Sequence, residues 1–523
     1  MTLGKWTNEK QKDLFIATFE LPRSPGHPFY SALNALLAEA RFDEFVEDLC
    51  KHAYKDGGRP GIPPGVFFRM LFVGYFEGID SQRGIAWRCS DSLSLRSFLG
   101  LSLTERSPDH SSLTVIRKRL SSAVIEQVFS FVLRLAFEKG LLKGKTVGID
   151  STTLEANAAM KSIVRRDDGA AYNEYLAKLA KEAGIVEPTN EDLRRFDRGR
   201  KDKKTSNEDW QSPSDPDARI TRMKDGTTHL AYKAEHVVDL DTNVVIAASI
   251  HHADSSDGET FKDTIIEAES YLMDATAEAC SIEEIAADKG YNKTESLAWA
   301  AEMDIRTYIP EPKHKHGRRW DDKPEGWQST CYATRRRTAR QKGKKMQRAR
   351  SEKVERTFAH ICETGGARRS WIRGITEVSK RYLMQVAAHN LGVILRSLLG
   401  VGTPRGWAGL SEALRRAFEK LSTALEQALL TLLVLASRRS GIIVLRFRVA
   451  SRRLAVPEAT CSTGCQADSA ATTLGSAQAL TATGLTKWTV SGAKEWVRYV
   501  IQPTGSNTPI LQFQFLAPQW TPN

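Results

Sequence analysis

Two aspartates, Asp150 and Asp288, each stand at the end of a short apolar stretch. Asp150 closes KTVGID and Asp288 closes EEIAAD, and both stretches have the composition of buried β-strands. Ligands of α/β sheets gather where strands end, so the two carboxylates can converge if their strands are neighbours. Paired carboxylates repel each other and need a cation, and all-oxygen ligands favour Mg²⁺ or Mn²⁺ over zinc. The alternative is that each aspartate only caps a helix or forms a turn.

A dense run of basic residues lies further along the chain. The sixteen residues 335–350, RRRTARQKGKKMQRAR, hold nine basic side chains and no acid, in a chain with net charge +12. A run of one sign can be a solvated surface. It is better suited to a polyanion, because contacts with phosphates release counterions. We therefore expect nucleic acid as a partner.

Length, apolar content and cysteines narrow the class of protein. The 523 residues are 41% hydrophobic, enough for two to four packed domains. We find no signal segment, and the longest apolar run, 428–436, is too short to cross a membrane, which predicts a soluble intracellular protein. The seven cysteines are scattered, so we expect neither a zinc site nor a disulfide framework.

The elements that must position the two aspartates follow from periodicity. Apolar residues at three- and four-residue spacing predict an all-α N-terminal region at 1–140, in which the helix carrying Arg117, Lys118 and Arg119 could contact DNA or only face water. From 141 to 400, strands alternate with helices, which predicts an α/β domain, interrupted at about 161–226 by a charged insertion. We expect a helical extension at 401–440 and a low-charge tail or small module at 441–523.

Several segments together resemble the DDE transposases of bacterial insertion sequences, in the branch with a helical N-terminal domain. VGIDSTTLEANA and IAADKGYN resemble the segments around the first two acids of that family, and RSEKVERTF the helix that carries the third. DPDARITRMKDGTTHLAYKAEHVVD resembles the segment that leads into the hairpin between them. The resemblance covers roughly residues 25–400 and implies a ribonuclease-H-like mixed sheet flanked by helices.

The resemblance assigns three metal-binding catalytic acids: Asp150, Asp288 and Glu355. Glu352 is a rival for the third position, but the VERTF context favours Glu355. The implied cofactor is a pair of Mg²⁺ or Mn²⁺ ions. The residues expected to contact DNA are Arg335, Arg336, Arg337, Arg340, Lys342, Lys344, Lys345, Arg348, Arg350 and Arg356.

The chain departs from the family pattern around the catalytic glutamate. The family commonly has an Arg four residues before it and a Lys about seven after it, whereas here Ser351 and Cys362 occupy those positions. Arg350, Arg356 and Lys380 lie nearby. Which of them contacts phosphate is left open.

The resemblance implies metal-dependent DNA cleavage at the ends of an insertion sequence and strand transfer into target DNA. The expected partners are double-stranded DNA with terminal inverted repeats and a second copy of the chain, in the bacterial cytoplasm at the nucleoid, with no membrane. Two alternatives stay open: a non-catalytic DNA-binding relic of a transposase, and another ribonuclease-H-like nuclease.

Overall fold

The computed structural model describes residues 26–54, 61–200, 206–223, 226–312, 318, 320–407 and 409, and the backbone of three strands between 482 and 516. Contacts divide the chain into two units, Met1–Leu410 and Ser411–Asn523. Most of the predicted extension at 401–440 and of the tail at 441–523 lies outside the described residues.

Before residue 140 the described chain is helical. Serine or aspartate side chains cap the starts of four of these helices at Ser81, Ser92, Asp109 and Ser121, which satisfies backbone N–H groups that a helix leaves free. The helices are α1 (Pro28–Glu39), α2 (Phe42–Cys50), α3 (Pro64–Glu77), α4 (Gln82–Asp91), α5 (Leu93–Phe98), α6 (His110–Arg119) and α7 (Ser122–Glu138).

Strands and helices alternate after residue 140, as the sequence predicted. The strands are β1 (Thr146–Glu155), β2 (Val164–Arg165), β3 (Trp210–Gln211), β4 (Arg219–Arg222), β5 (Thr228–Asp239), β6 (Val245–His252), β7 (Glu284–Ala287) and β8 (Arg306–Tyr308). The helices are α8 (Tyr172–Glu182), α9 (Asn190–Gly199), α10 (Asp257–Thr276), α11 (Thr294–Glu302), α12 (Trp327–Ala339), α13 (Gln341–Phe358) and α14 (Ile375–Leu399). The α/β class is confirmed.

One mixed sheet forms the centre of this region. Its strand order is β4-β5-β1-β7-β8, and β6 also pairs with β5. β1 is antiparallel to β5 and parallel to β7, β5 is antiparallel to β6, and β7 is parallel to β8. Parallel neighbours bring the carboxyl ends of β1 and β7 to the same edge of the sheet.

Helix α13 lies across one face of this sheet. A Cβ on Gly148 would come within 3.0 Å of Val354 Cγ2, so the glycine allows the helix to approach β1 closely. The sequence predicted only the second half of this helix. It begins at Gln341 because Lys, Arg and Gln are good helix formers, although few of them are buried.

The expectation that Asp150 ends its strand is wrong. β1 continues for five residues beyond Asp150, and Ser151 to Glu155 stay paired with β5. The β-branched Thr152 and Thr153 suit an extended pleated backbone, so the change to polar residues does not end the strand.

The predicted insertion has a small core of its own. Leu176 and Ala180 of α8 pack against Leu193 of α9, separate from the main core. The last part of the segment, β4, pairs with β5 and belongs to the central sheet.

Helix α14 is buried at the centre of the first unit. The segment Ile375–Trp407 is long and apolar enough to cross a membrane by composition, but 61% of its apolar window is buried inside the protein. This helix packs against α7 and α3, so its apolar character is explained by the core. In the second unit, β9 (Ala482–Val490), β10 (Ala493–Gln502) and β11 (Ile510–Leu516) form an antiparallel sheet.

Candidate active site

Asp150 and Asp288 lie side by side on neighbouring parallel strands. Ile149 pairs with Ala287, and each aspartate is the next residue in its chain. Both side chains are half-buried. Burial raises the pKa of Asp150 above its ordinary value, Arg350 lowers it and the negative charge of Asp288 raises it further. The pair therefore has the electrostatic character expected of a cation site.

In this structure the charge of Asp150 is balanced by Arg350. Nη1 of Arg350 donates to Oδ2 of Asp150, and the two side chains are only 10% and 21% exposed. The backbone N–H of Ser151 donates to Oδ1 of Asp150 at 2.8 Å. Arg350 therefore supplies the positive charge that a half-buried carboxylate beside another carboxylate requires.

Neither aspartate side chain caps a helix. Asp150 lies within β1, and Asp288 precedes a short 3₁₀ turn, Lys289–Tyr291, without a capping hydrogen bond from its side chain. The capping alternative that the sequence left open therefore explains neither carboxylate.

Glu355 is on α13 and its side chain is exposed. Ser351 Oγ donates to its carboxylate at 3.0 Å. Gln347 Nε2, on the same side of α13, donates to the carbonyl of Ala287 at 3.0 Å, beside the start of the Asp288 turn. Residues spaced by four lie along one side of a helix, so Gln347, Ser351 and Glu355 share a side of α13. Gln347 brings the first part of that side into contact with the end of β7.

Glu352 lies three residues before Glu355, on a neighbouring face of α13. Its carboxylate accepts a hydrogen bond from Arg356 at 2.7 Å, and both side chains are exposed. The choice of Glu355 over Glu352 stays a prediction from the family resemblance. The described residues nevertheless contain no group of three His, Cys, Asp or Glu side chains placed to hold a metal ion, so Glu355 is not gathered with the two aspartates here.

A buried charged network supports the Asp288 turn from the opposite face of the sheet. Lys233 Nζ lies 2.7 Å from Glu235 Oε1 and 2.9 Å from Asp257 Oδ1. Ser151 Oγ donates to Asp257 at 3.0 Å, and Tyr291 Oη donates to Glu235 at 3.1 Å. The network thus connects β1, β5 and α10 with the segment that carries Asp288.

Sequence reasoning missed this network. Its signal was available: Lys233 and Glu235 alternate within a largely apolar strand, LAYKAEHVVDL. Charged residues are almost never fully buried unless they are paired, so two of them on one face of a core strand indicate a partner.

The ten residues expected to contact DNA separate into two groups. Half are paired or buried within the protein: Arg335 with Glu311, Lys342 with Glu284, Arg350 with Asp150, Arg356 with Glu352, and Arg337 with Thr334. The other half are exposed and form no ion pair within the described ranges: Arg336, Arg340, Lys344, Lys345 and Arg348. Arg350 is buried and its guanidinium pairs with Asp150, so its role as a DNA contact stays a prediction.

One side of α13 combines exposed basic residues with the candidate catalytic glutamate. Lys344, Arg348, Ser351 and Glu355 recur at four- and three-residue spacing, and we call them the exposed row. DNA held by Lys344 and Arg348 would therefore lie beside Glu355.

Two regions of the chain match known families. Residues 20–119 match the family described as "Transposase domain (DUF772)", and residues 312–395 match the family described as "Transposase DDE domain". These two matches support a DDE transposase of the insertion-sequence type. No curated protein and no solved structure matches it. The second match covers α12, α13 and most of α14, including Glu355, whereas Asp150 and Asp288 lie outside both matches.

Proposed function

We propose that this transposase cuts DNA at the ends of its insertion sequence and joins them to target DNA, with Asp150, Asp288 and Glu355 as ligands of two Mg²⁺ or Mn²⁺ ions. The observation that carries the proposal is the placement of Asp150 beside Asp288 on parallel strands, under the helix that bears Glu355. The match of that helix to a transposase DDE domain supports the same role.

The sheet topology supports a ribonuclease-H-like core. Three antiparallel strands, β6, β5 and β1, are followed across the sheet by β7 and β8, both parallel to β1. The family resemblance implies a mixed sheet flanked by helices, and in this one Asp150 lies on the central strand and Asp288 directly follows its neighbour.

The donor set fits a hard divalent cation. Asp150 and Asp288 offer oxygen ligands, and burial together with the charge of Asp288 raises the pKa of Asp150, so a divalent ion would find two carboxylates that benefit from added positive charge. Glu355 has an exposed side chain held by one hydrogen bond from Ser351, so little opposes its rotation towards the aspartates. When bound, such ions activate an attacking oxygen and stabilise the departing one.

The chain itself would position the DNA. Lys344 and Arg348 of the exposed row are free to contact phosphates, and Arg350 holds Asp150 in place from the core side of α13. The attacking groups are water and then the freed 3′-hydroxyl, so no serine or tyrosine nucleophile is needed.

The N-terminal helices would recognise the terminal inverted repeats, and two copies of the chain would pair two ends in the bacterial cytoplasm. The basic end of α6 contributes less than the sequence suggested. Arg117 forms an ion pair with Glu377 of α14 at 2.9 Å, which leaves only Lys118 and Arg119 exposed.

The proposal is tested with DNA that carries the element's own ends, incubated with the full chain and Mg²⁺. We expect nicking and strand transfer by the wild type, and neither product from Asp150→Asn or Asp288→Asn, although both variants still bind DNA. Parallel reactions with RNA–DNA hybrids and branched junctions separate a transposase from another nuclease. Binding without any metal-dependent product would instead support a non-catalytic relic.

A further inference from the structure

A cavity of about 560 Å³ lies between the two regions that match transposase families. One side of it is formed by α3, α4 and α6, and the other by residues 371–373 and the start of α14. None of the three proposed catalytic acids lines it. Its lining therefore has to be explained separately from the metal site.

The lining of the cavity is strongly positive. Five basic side chains contribute to it: Arg117, Lys118, Arg373, Lys380 and Arg381. Only two acids oppose them, Asp80 and Glu377. Like charges that converge on a partly enclosed space repel one another and attract an anion.

Asp80 and Glu377 both have partners within the protein. Glu377 lies 2.9 Å from Arg117 and 2.7 Å from Lys380, so one carboxylate serves two cations. Asp80 accepts a hydrogen bond from Trp371 Nε1 at 2.6 Å. Glu377 is thus shared by two cations, and Asp80 is the one other acid of the lining to face Lys118, Arg373 and Arg381.

Arg381 lacks a partner for one end of its guanidinium. Its Nη2 is shielded from solvent and has no hydrogen-bond partner within the described residues. Burial lowers the pKa of Arg381 to about 10, and Asp80 only partly opposes this. A buried guanidinium with an unsatisfied N–H group is costly unless an anion completes it.

We propose that this cavity binds a phosphate group, supplied either by a DNA strand or by a free phosphate anion. Arginine guanidinium groups match the geometry of phosphate oxygens, and lysine adds charge without fixed geometry. The site would be a second point of phosphate contact, remote from the exposed row, where the N-terminal helices and α14 hold the same ligand.

Binding is measured with the full chain in the absence of divalent ions and of terminal repeats, so the result does not depend on the proposed cleavage. The probes are inorganic phosphate, compared with chloride at equal ionic strength, and a short DNA strand with or without a 5′-phosphate. Calorimetric titration gives the affinity, and thermal unfolding gives the stabilisation.

Three variants locate the effect. Loss of a charge-assisted hydrogen bond in Arg381→Gln should weaken phosphate binding about tenfold. The exposed Lys118→Gln, which carries little risk to folding, should weaken it about threefold. Arg119→Gln is the matched control: it removes the same charge from the adjacent residue, which does not line the cavity and contacts the ring of Tyr54.

The proposal stands if phosphate binds more tightly than chloride and Lys118→Gln and Arg381→Gln weaken that binding while Arg119→Gln does not. Tighter binding of the 5′-phosphorylated strand than of the unphosphorylated strand then identifies DNA as the source of the phosphate. If the two variants weaken the binding of free phosphate but not of either DNA strand, the ligand is the free anion. Binding of phosphate no tighter than chloride, or an equal loss in Arg119→Gln, overturns it.

Discussion

The groups around Asp150 shift the pKa of its carboxyl group in opposite directions. Burial and the charge of Asp288 favour its protonated form, while Arg350 and the N–H of Ser151 favour the carboxylate. A single cation thus determines whether the charge of Asp150 is tolerated. In the structure Arg350 meets this requirement, and the divalent ion proposed above would meet it in the same way.

This balance predicts a strong coupling between Asp150 and Arg350. In the absence of divalent ions, Arg350→Met should lower the free energy of unfolding by about 3 kcal/mol, because a half-buried carboxylate loses its partner. The double variant Asp150→Asn/Arg350→Met should be less destabilised than the sum of the single variants by about 1–3 kcal/mol. Urea unfolding in a chelator measures all four proteins. Additive losses would show that the ion pair does not stabilise the fold.

At the scale of elements, α13 has one side that packs on the sheet and another that is exposed to solvent. Val354 packs against β1 at Gly148, whereas the exposed row carries Lys344, Arg348 and Glu355 along the solvent side. The helix therefore lies between the half-buried aspartates and a basic surface, so the support of the aspartates and the proposed contact with DNA can be tested separately.

Neutralising the basic part of the exposed row should weaken DNA binding without unfolding the chain. In the double variant Lys344→Gln/Arg348→Gln, two phosphate contacts are lost. The slope of log affinity against log salt concentration should therefore decrease in magnitude by about two. Lys178→Gln/Lys181→Gln on α8 removes the same charge from another exposed helix and serves as control. Equal slopes for both double variants would show that the exposed row does not contact DNA.

His236 of β5 contacts both α13 and α14 and so connects these helices to the sheet. Its ring nitrogens contact Thr357 Oγ1 at 2.8 Å and Tyr382 Oη at 2.7 Å, and its ring stacks on Phe358 with centroids 4.0 Å apart. The ring is fully buried. Burial lowers the pKa of His236 well below its ordinary value of 6.5, and His389 lowers it further, so the histidine is neutral in the folded protein.

This lowered pKa predicts a loss of stability in mild acid. Below the ordinary pKa the unfolded chain binds a proton that folded His236 does not, so the stabilisation is complete above pH 6.5 and falls as the pH decreases. The difference in unfolding free energy between the wild type and His236→Gln should shrink by about 1.4 kcal/mol for each pH unit below 6.5. Denaturant unfolding at several pH values measures it. A constant difference would mean that His236 has the same pKa in the folded and the unfolded chain.

The sequence predicted the helices and strands more completely than it predicted the contacts between them. Alternating and apolar stretches predicted β5, β6 and β7, because burial on a sheet leaves a strong pattern in the residues themselves. The start of α13 was missed, because Lys342 to Lys345 carry no apolar period and were interpreted as a surface charge run.

The sequence indicated only part of the candidate site. Acids at strand ends gave Asp150 and Asp288, and the family resemblance gave Glu355. The ion pair between Arg350 and Asp150 joins residues two hundred positions apart, and only the packing of α13 on β1 determines which of many basic residues meets the carboxylate. Lys233 and its partners were missed for the same reason.

At the scale of the whole molecule, the helices before residue 140 and the sheet region share one core. Phe129 of α7 packs edge-on against Tyr271 of α10 with centroids 5.0 Å apart. Tyr75 Oη of α3 hydrogen-bonds to His389 Nδ1 of α14 at 3.0 Å. The boundary predicted at 140/141 therefore lies within a single compact unit by contacts.

A chain that begins at residue 141 should consequently fail to fold alone. Its α14 and α10 would expose the apolar surface that α7 and α3 cover, which favours aggregation. Thermal unfolding monitored by circular dichroism should show no cooperative transition, whereas a chain of residues 1–410 should show a single one. A soluble, cooperatively folded 141–410 fragment would show that the two regions are independent.

The central claim is that Glu355 joins Asp150 and Asp288 in one divalent-ion site, and strand transfer by two neighbouring variants of α13 tests it most directly. Glu355→Gln and Glu352→Gln make the same change three residues apart, and both side chains are exposed. We predict that Glu355→Gln lowers the rate of Mg²⁺-dependent strand transfer about a thousandfold with DNA binding intact. Glu352→Gln should stay within about threefold of the wild type, because only a surface ion pair is lost. Wild-type strand transfer by Glu355→Gln, or an equal loss in Glu352→Gln, would contradict the account.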